Sequence, residues 1–119
     1  MTGGRRTIGA RRGDVILVPF PFAELTATKA RPAVVVSSAA FMHDEGKILV
    51  AAVTSNIQAR RGPTNCVLVR WKEAGLLKPS AITSWLATLA PAVILMKIGR
   101  LPREEMSRLE ASLRAAMAL

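Results

Sequence analysis

The sequence predicts a mainly β domain: a small barrel of five to seven short strands with one α-helix at its C-terminal end. Short apolar runs bounded by turn residues recur from residue 14 to residue 98. The last segment instead repeats apolar residues at helical spacing. At 119 residues, 50% of them hydrophobic, the chain is long enough for one modest core. We expect a single domain over 13–119, preceded by a flexible, Gly- and Arg-rich basic arm over 1–12.

Five stretches carry the strand signal. Each is rich in apolar and β-branched residues and is bounded by proline, glycine or polar turn residues. We predict strands over residues 14–20, 33–37, 47–53 and 65–71, one strand or two short ones over 80–89, and a further short element over 93–98. Pro19 and Pro21 should end the first strand, because proline lacks the N–H that a ladder needs. A turn or a single helical turn is expected over 41–46, where Gly46 is a natural stop.

The C-terminal segment has a different periodicity. Its apolar residues recur at Met106, Leu109, Leu113 and Met117. Pro102 suits the first position of a helix, because its missing N–H costs nothing there. Glu104 and Glu105 follow in the first turn, where the helix dipole favours negative charge. We therefore predict a helix that begins near Pro102 and packs its apolar side against the strands.

The charge of the chain favours a polyanionic partner. The sequence carries 17 Lys and Arg against 8 Asp and Glu, a net charge of +9. Such an excess suits nucleic acid, although a merely soluble basic surface would show it too. No apolar stretch approaches the ~20 residues that span a bilayer, so we expect no membrane partner. The lone cysteine, Cys66, has no partner for an internal disulfide and fits a reducing cytoplasm.

Polar residues cluster where two of the predicted strands begin and end. Arg31 precedes the second strand, and Thr54, Ser55 and Asn56 follow the third. If these strands pair antiparallel, the arginine lies beside the hydroxyls at one edge of the sheet. Arginine offers a fixed fork of donors that matches phosphate oxygens, so this edge suits chemistry on a phosphate.

A plain structural explanation competes with this hypothesis. Arg31 would then simply stay solvated, or pair with a nearby acid such as Asp14 or Glu24. The three polar residues would only form a strand-end turn, in which all three types are common. From spacing alone, neither explanation is preferred.

Other catalytic chemistries lack the residues they need. The chain has one histidine, one cysteine and no carboxylate cluster outside the predicted helix, too few ligands for a zinc or two-metal site. His43, Asp44 and Glu45 are adjacent on a predicted turn, and we expect them to be solvated surface. No glycine-rich phosphate loop follows a strand. We therefore predict neither a metal nor a cofactor.

Two further features bear on nucleic-acid binding. Gln58, Arg60 and Arg61 form a basic loop after the third strand, suited to contacts with a phosphodiester backbone. Trp71 and Trp85 offer faces on which bases stack. In a chain with so few aromatic residues, however, we expect both tryptophans in the core.

Several segments resemble the signatures of the MazF/PemK toxin family. The match runs in order and at compatible spacings from about residue 12 to residue 117, which is more specific than any single motif. Its landmarks are Gly13–Phe20, Lys29–Ser37, Val50–Gln58, Lys78–Ser80, Ala87–Leu89 and Lys97–Leu101.

The resemblance implies a compact SH3-like barrel, as in MazF, PemK and CcdB proteins, assembled as a homodimer. It also implies a metal-independent endoribonuclease that cuts single-stranded RNA at short sequences and is neutralised by an antitoxin. The products would carry a 2′,3′-cyclic phosphate and a 5′-hydroxyl, and operator DNA would be bound only by the toxin–antitoxin complex. By position, Arg31 and Thr54 match the family's catalytic residues. RNA-binding residues are expected at Glu24, Thr28, Lys29, Ser55, Asn56, Gln58, Arg60 and Arg61.

The chain departs from the family pattern in two places. The loop over 22–29 lacks the Gly-Ser-Glu-like stretch of many members, and we expect this loop to decide which RNA is cut. The segment 90–94 lacks the Asp and basic residues common there. Two rival functions stay open: a toxin of the same fold that binds DNA gyrase, and a silent relative that only binds nucleic acid. The pairing of Arg31 with Thr54 favours the nuclease, because a gyrase binder has no need of it.

Overall fold

The structure, a computed structural model, describes residues 9–19 and 29–119. This part of the chain forms six strands and two α-helices. The strands are β1 (Asp14–Pro19), β2 (Ala30–Val35), β3 (Ile48–Thr54), β4 (Cys66–Val67), β5 (Ala81–Leu89) and β6 (Met96–Arg100), and the helices are α1 (Ala39–Glu45) and α2 (Arg103–Met117). Short 3₁₀ turns lie at Ile57–Ala59 and Pro91–Val93. No helix within the described ranges is both long and apolar enough to cross a bilayer.

The strands form one antiparallel sheet in the order β4-β5-β3-β2-β1-β6. The sheet curls into a half-barrel, and α2 follows its last strand. The predicted mainly β fold with a C-terminal helix is therefore confirmed.

Alternate residues of the central strands enter two apolar cores, as the two-residue period of a strand requires. Val15, Val34 and Val53 pack in the core that also holds Leu109 and Leu113 of α2. The second core contains Ile16, Val18, Ala33, Val35, Ile48, Val50, Ala52 and Ile94. Because β1, β2 and β3 are buried on both faces, their sequences are near-continuous apolar runs.

The strand predicted over 65–71 is much shorter than expected. Only Cys66–Val67 pair with β5. Glu105 of α2 is 2% exposed, and its Oε2 accepts the backbone N–H groups of Val69 and Arg70 at 2.7 and 2.6 Å. The carboxylate supplies the acceptor that these N–H groups would otherwise find in a neighbouring strand. The prediction was wrong here because a side chain of the distant helix ends the ladder.

Both helices have ends that local chemistry explains. The Oγ of Ser38 accepts the N–H of Phe41 at 3.1 Å and caps α1. Gly46 ends that helix with a φ of 65°, a conformation that glycine adopts without a Cβ penalty. The segment is therefore a helix of 7 residues rather than a single turn. Helix α2 begins at Arg103, so Pro102 lies at its N-cap, one residue before the first helical position that the sequence suggested.

The buried side of α2 differs in part from the prediction. Leu109 and Leu113 are buried and Met106 is partly buried, as the spacing predicted. Met117 is 46% exposed, so the last turn does not share that burial. Glu105 lies one turn before Leu109 on the buried side, and it also forms an ion pair with Arg108. Glu105 thus forms hydrogen bonds and an ion pair from a buried position, in addition to its favourable interaction with the helix dipole.

The predicted basic arm lies mostly outside the described residues, which begin at residue 9. Its last two arginines contact the domain. The backbone N–H of Arg11 donates to Oδ2 of Asp14 at 2.8 Å, and Arg12 pairs with Glu110 of α2 at 2.8 Å. The mobility of the preceding residues stays a prediction.

Candidate active site

The ends of β2 and β3 meet at one edge of the sheet. Strand β2 begins earlier than predicted, so Arg31 lies within it and pairs with Val18 of β1. Strands β2 and β3 pair antiparallel, with Ala33 opposite Ala52. Continued by two residues, this register puts Arg31 beside Thr54. The antiparallel pairing on which the site hypothesis depended is confirmed.

Arg31 and Thr54 line one cavity of about 540 Å³. Its walls are mainly apolar and come from β1, β2, β3, β6 and the segment before β5. The lining residues are Leu17, Arg31, Pro32, Val53, Thr54, Ser55, Gly75, Leu76, Leu77, Lys78, Ser80, Met96, Lys97 and Ile98. The cavity thus places one guanidinium and two neighbouring hydroxyls on an otherwise largely apolar surface.

Thr54 is held by the turn that follows it. Its Oγ1 accepts the backbone N–H of Asn56 at 3.1 Å, and the carbonyl of Ser55 accepts the N–H of Ile57 at 3.0 Å. A hydroxyl that accepts one bond still has a proton to donate and a second lone pair. The hydroxyl of Thr54 is therefore oriented, yet free to bond an anionic oxygen in the cavity.

Arg31 does not pair with Asp14, whereas the alternative of a solvated Arg31 agrees with the structure, in which the residue is exposed. Asp14 is fully buried, and its Oδ1 lies 2.8 Å from Nη1 of Arg100 and 3.2 Å from Nζ of Lys97. Glu24, the other candidate partner, lies outside the described residues. Within 9–19 and 29–119, no carboxylate forms a salt bridge with Arg31. The exposed guanidinium therefore keeps its charge uncompensated by the described part of the chain.

The lining of the cavity is positively charged. Lys78 and Lys97 join Arg31 there, and the lining residues include no Asp or Glu. Asp14 offsets part of the charge of Lys97 from behind the sheet edge. A cavity with this balance attracts anions such as a phosphodiester.

The predicted RNA-binding residues are not all brought together. Ser55 lines the cavity. The remaining described residues of that set, Lys29, Asn56, Gln58, Arg60 and Arg61, do not line the cavity. Glu24 and Thr28 lie outside the described residues, so their placement stays a prediction.

The two tryptophans have different surroundings. Trp71 is partly buried against the core beneath α2, as predicted. The same prediction was wrong for Trp85, which is 46% exposed on β5. The guanidinium carbon of Arg60 lies 4.7 Å from the centroid of the Trp85 ring. Arg60, in the basic loop next to β5, thus lies against the exposed ring of Trp85.

Sequence reasoning missed one wall of the cavity, the segment from Gly75 to Lys78. Gly75 has a φ of +89°, and a Cβ there would lie 2.5 Å from the carbonyl oxygen of Ile98. A Cβ on Gly99 would lie 2.3 Å from the carbonyl oxygen of Ala74. These two glycines let the turn approach β6 closely, which brings Lys78 to the cavity. Gly75 and Gly99 were therefore the residues in the sequence that could have indicated this close approach.

Metal-ligating side chains are dispersed in the described part of the chain. No three His, Cys, Asp or Glu residues of that part come together as a metal site requires. Cys66 is buried, with its Sγ 3.9 Å from the carbonyl oxygen of Glu105. Burial raises the pKa of its thiol, and the nearby Glu105 adds to this while Arg108 opposes it. A thiol in that state is a poor nucleophile.

Solved structures share this fold. An endoribonuclease in complex with its cognate antitoxin, from a mycobacterial species, matches with a TM-score of 0.74 at 19% identity, over 93% of this chain and 97% of that one. The Mycobacterium tuberculosis toxin MazF-mt6 matches with a TM-score of 0.70 at 19% identity, over 89% and 97%. MazF from Deinococcus radiodurans gives 0.69 at 18% identity, over 97% and 100%. At such identities the likeness shows the fold alone.

The family follows from the sequence. No curated protein sequence matches the chain significantly. A family model does match, over residues 11–117, which is nearly the whole chain, and its description is PemK-like, MazF-like toxin of type II toxin-antitoxin system. On this match the chain belongs to the PemK-like, MazF-like toxin family of type II toxin–antitoxin systems.

Proposed function

We propose that the chain is a toxin endoribonuclease that cuts single-stranded RNA at short sequences without a metal ion. One observation carries the proposal: Arg31 and the oriented hydroxyl of Thr54 lie at adjacent strand ends in a positively charged cavity. The family, and the similar fold of mycobacterial endoribonucleases, support the same activity.

The reaction we propose uses the RNA's own 2′-hydroxyl as nucleophile. Its oxygen attacks the adjacent phosphorus, its proton passes to a base, and the bond from phosphorus to the 5′-oxygen breaks. The leaving 5′-oxygen takes up a proton, so the products are a 2′,3′-cyclic phosphate and a 5′-hydroxyl. Catalysis therefore needs stabilisation of the charge that develops on the phosphorane and controlled proton transfer. DNA lacks the 2′-hydroxyl and is not cut.

The two residues divide these tasks. The guanidinium of Arg31 donates a fork of hydrogen bonds to the non-bridging phosphate oxygens and stabilises their developing charge. The Thr54 hydroxyl, already fixed by Asn56, donates its proton to the phosphate or relays a proton at the leaving oxygen. The amine of Lys78 lies in the same cavity and adds positive charge. The apolar walls hold the bases beside the phosphate.

We also propose that a cognate antitoxin neutralises the chain by covering this cavity. The mycobacterial endoribonuclease was solved with its cognate antitoxin. On this chain, Leu77 is 91% exposed and Met96 is 53% exposed at the cavity, an apolar rim that a protein partner would bury. We propose a cytoplasmic homodimer, with operator DNA bound only by the toxin–antitoxin complex.

Purified protein incubated with a long single-stranded RNA in EDTA tests the activity. Wild type should cut the RNA, and Arg31→Ala and Thr54→Ala should each lower the rate by about 10²–10³-fold, as expected when a donor to developing charge is removed. Thr54→Val keeps the side-chain shape without the hydroxyl and should match Thr54→Ala, whereas Thr54→Ser should retain much of the activity. The exposed Arg103 and Thr88 supply matched controls as Arg103→Ala and Thr88→Ala.

Two results would contradict the proposal. Equal rates for Thr54→Val and wild type would remove the hydroxyl from the reaction. No cleavage by wild type across varied RNA sequences, together with inhibition of DNA gyrase, would assign the chain to the gyrase-binding toxins of the same fold.

A further inference from the structure

Trp85 presents a large apolar ring to solvent beside a guanidinium. The ring is 46% exposed, and the guanidinium carbon of Arg60 lies 4.7 Å from its centroid. This distance is a cation–π contact, which holds Arg60 over the ring. The exposed part of the indole offers a flat surface on which another aromatic ring can stack.

The Trp85–Arg60 pair is fixed relative to the candidate active site. Arg60 follows Thr54 through one 3₁₀ turn, in which its N–H donates to the carbonyl of Ile57 at 3.1 Å. The other end of the loop is tied to β5, since Oγ of Ser84 donates to the carbonyl of Thr64 at 2.6 Å. Along β5, Trp85 lies four residues from Ala81, the partner of Thr54, or about 13 Å at the usual rise of a strand.

The charge around the ring is positive and uncompensated by neighbours. The loop 54–65 carries Arg60 and Arg61 and contains no Asp or Glu. No carboxylate among the described residues forms a salt bridge with either arginine. In a two-fold interface centred on Trp85, a second copy would bring the same two arginines against these, which is unfavourable. A polyanion that carries flat aromatic groups is complementary both to the positive charge of the two arginines and to the exposed ring of Trp85.

We propose that Trp85 and Arg60 form a stacking platform for an unpaired base of the RNA strand that enters the cavity of Arg31 and Thr54. The proposal rests on the function proposed above and adds a second contact point on the same RNA strand. A base stacks on the indole, and the flanking phosphate faces Arg60 and Arg61. Because every base has a π-face, the platform raises affinity for single-stranded RNA with little preference for sequence.

The platform makes its contact in the ground state and the transition state alike. Loss of the ring should therefore raise KM while kcat changes little. Because a base stacked on one aromatic side chain contributes about 1–3 kcal/mol, Trp85→Ala should bind RNA about 5- to 150-fold more weakly. Trp85→Phe keeps a flat ring and should recover most of that loss.

Tryptophan fluorescence reports the contact directly. In a Trp71→Phe background, Trp85 is the sole tryptophan of the chain. The probe is a single-stranded oligonucleotide with 2′-O-methyl riboses, which lacks the attacking hydroxyl and stays intact. We expect saturable quenching of Trp85. The Trp85→Ala variant lacks tryptophan in this background, so its weaker Kd is measured by the anisotropy of a dye on the oligonucleotide, with the Trp85 protein measured in the same way. A matched oligonucleotide with abasic sites should quench little and bind both variants equally, because it keeps the phosphates and removes the bases.

Three results would overturn the proposal. If wild type cuts RNA while Trp85→Ala has the same KM and Trp85 is not quenched, the platform is absent and the proposed nuclease stands. If Trp85→Ala changes the mass of the particle in solution, measured by light scattering, the surface is an interface between copies. If wild type neither binds nor cuts any RNA, the proposed function fails and the platform fails with it.

Discussion

Replacement of Glu105 tests how a buried carboxylate ties α2 to the turn after β4. The group is 2% exposed, accepts the N–H groups of Val69 and Arg70 and pairs with Arg108. Glu105→Ala leaves two N–H groups without an acceptor. Hydrogen bonds to a charged group contribute about 1.5–3 kcal/mol each, so we expect a loss of about 4 kcal/mol in the free energy of unfolding. That is a large part of the ~5–15 kcal/mol typical of a domain.

Glu105→Gln separates charge from shape. Both N–H groups bond to the same oxygen, and an amide oxygen in that position still accepts both. Only the charge assistance and the pair with Arg108 are lost, and Arg108 is 47% exposed, so that pair adds little. We expect a loss of about 2 kcal/mol, half that of Glu105→Ala.

Urea unfolding at one fixed protein concentration measures the loss in free energy of unfolding for both variants. We expect the midpoint to shift while the slope of free energy against urea concentration stays unchanged. The control is Glu104→Ala, which removes the adjacent glutamate, 75% exposed and 2.9 Å from Arg70. A surface pair of this kind contributes less than about 1 kcal/mol. If Glu105→Ala destabilises the protein no more than Glu104→Ala does, the carboxylate is not the anchor that the geometry indicates.

Three further predictions concern other parts of the molecule. Gly75→Ala should lower the free energy of unfolding by at least about 2 kcal/mol and also lower activity, because a Cβ at φ +89° would lie 2.5 Å from a backbone oxygen. The control is Gly46→Ala, which has open space around it and should lower the free energy of unfolding by about 1 kcal/mol. Equal urea midpoints for the two variants would refute the close approach. Cys66 should resist iodoacetamide in the native state and react on unfolding, because burial excludes the reagent and raises the thiol's pKa; rapid native labelling by mass spectrometry would contradict this. Joint replacement of Arg60 and Arg61 by alanine should weaken RNA binding. It should also reduce the slope of log K against log[salt] by the equivalent of up to about two phosphate contacts. An unchanged slope would show that this loop does not contact the RNA.

The sequence predicted the parts of the fold that depend on local pattern. Runs of valine, isoleucine and alanine identified β1, β2 and β3, because burial on both faces favours apolar residues at their central positions. The helical period identified α2. The sequence also predicted that Arg31 and Thr54 lie at the same end of the sheet, since this needs only two neighbouring strands to run antiparallel.

The features that sequence reasoning missed depend on distant contacts. The early end of β4 requires Glu105, which is more than thirty positions further along the chain. The exposure of Trp85 requires a loop that supplies Arg60 in place of an apolar neighbour. The cavity wall at Lys78 requires Gly75 and Gly99 to meet β6 and the turn without side chains. In each case the deciding partner lies in another element, and no local periodicity reports it.

Because Arg31 and Thr54 lie on two different strands, the geometry of the candidate active site depends on the register between those strands. A slip of β2 against β3 by one residue would reverse the side-chain faces and turn the guanidinium away from the hydroxyl. Neither strand holds the two groups together by itself. On the function proposed above, a newly made chain can therefore cut RNA only after its central ladder has closed in the native register.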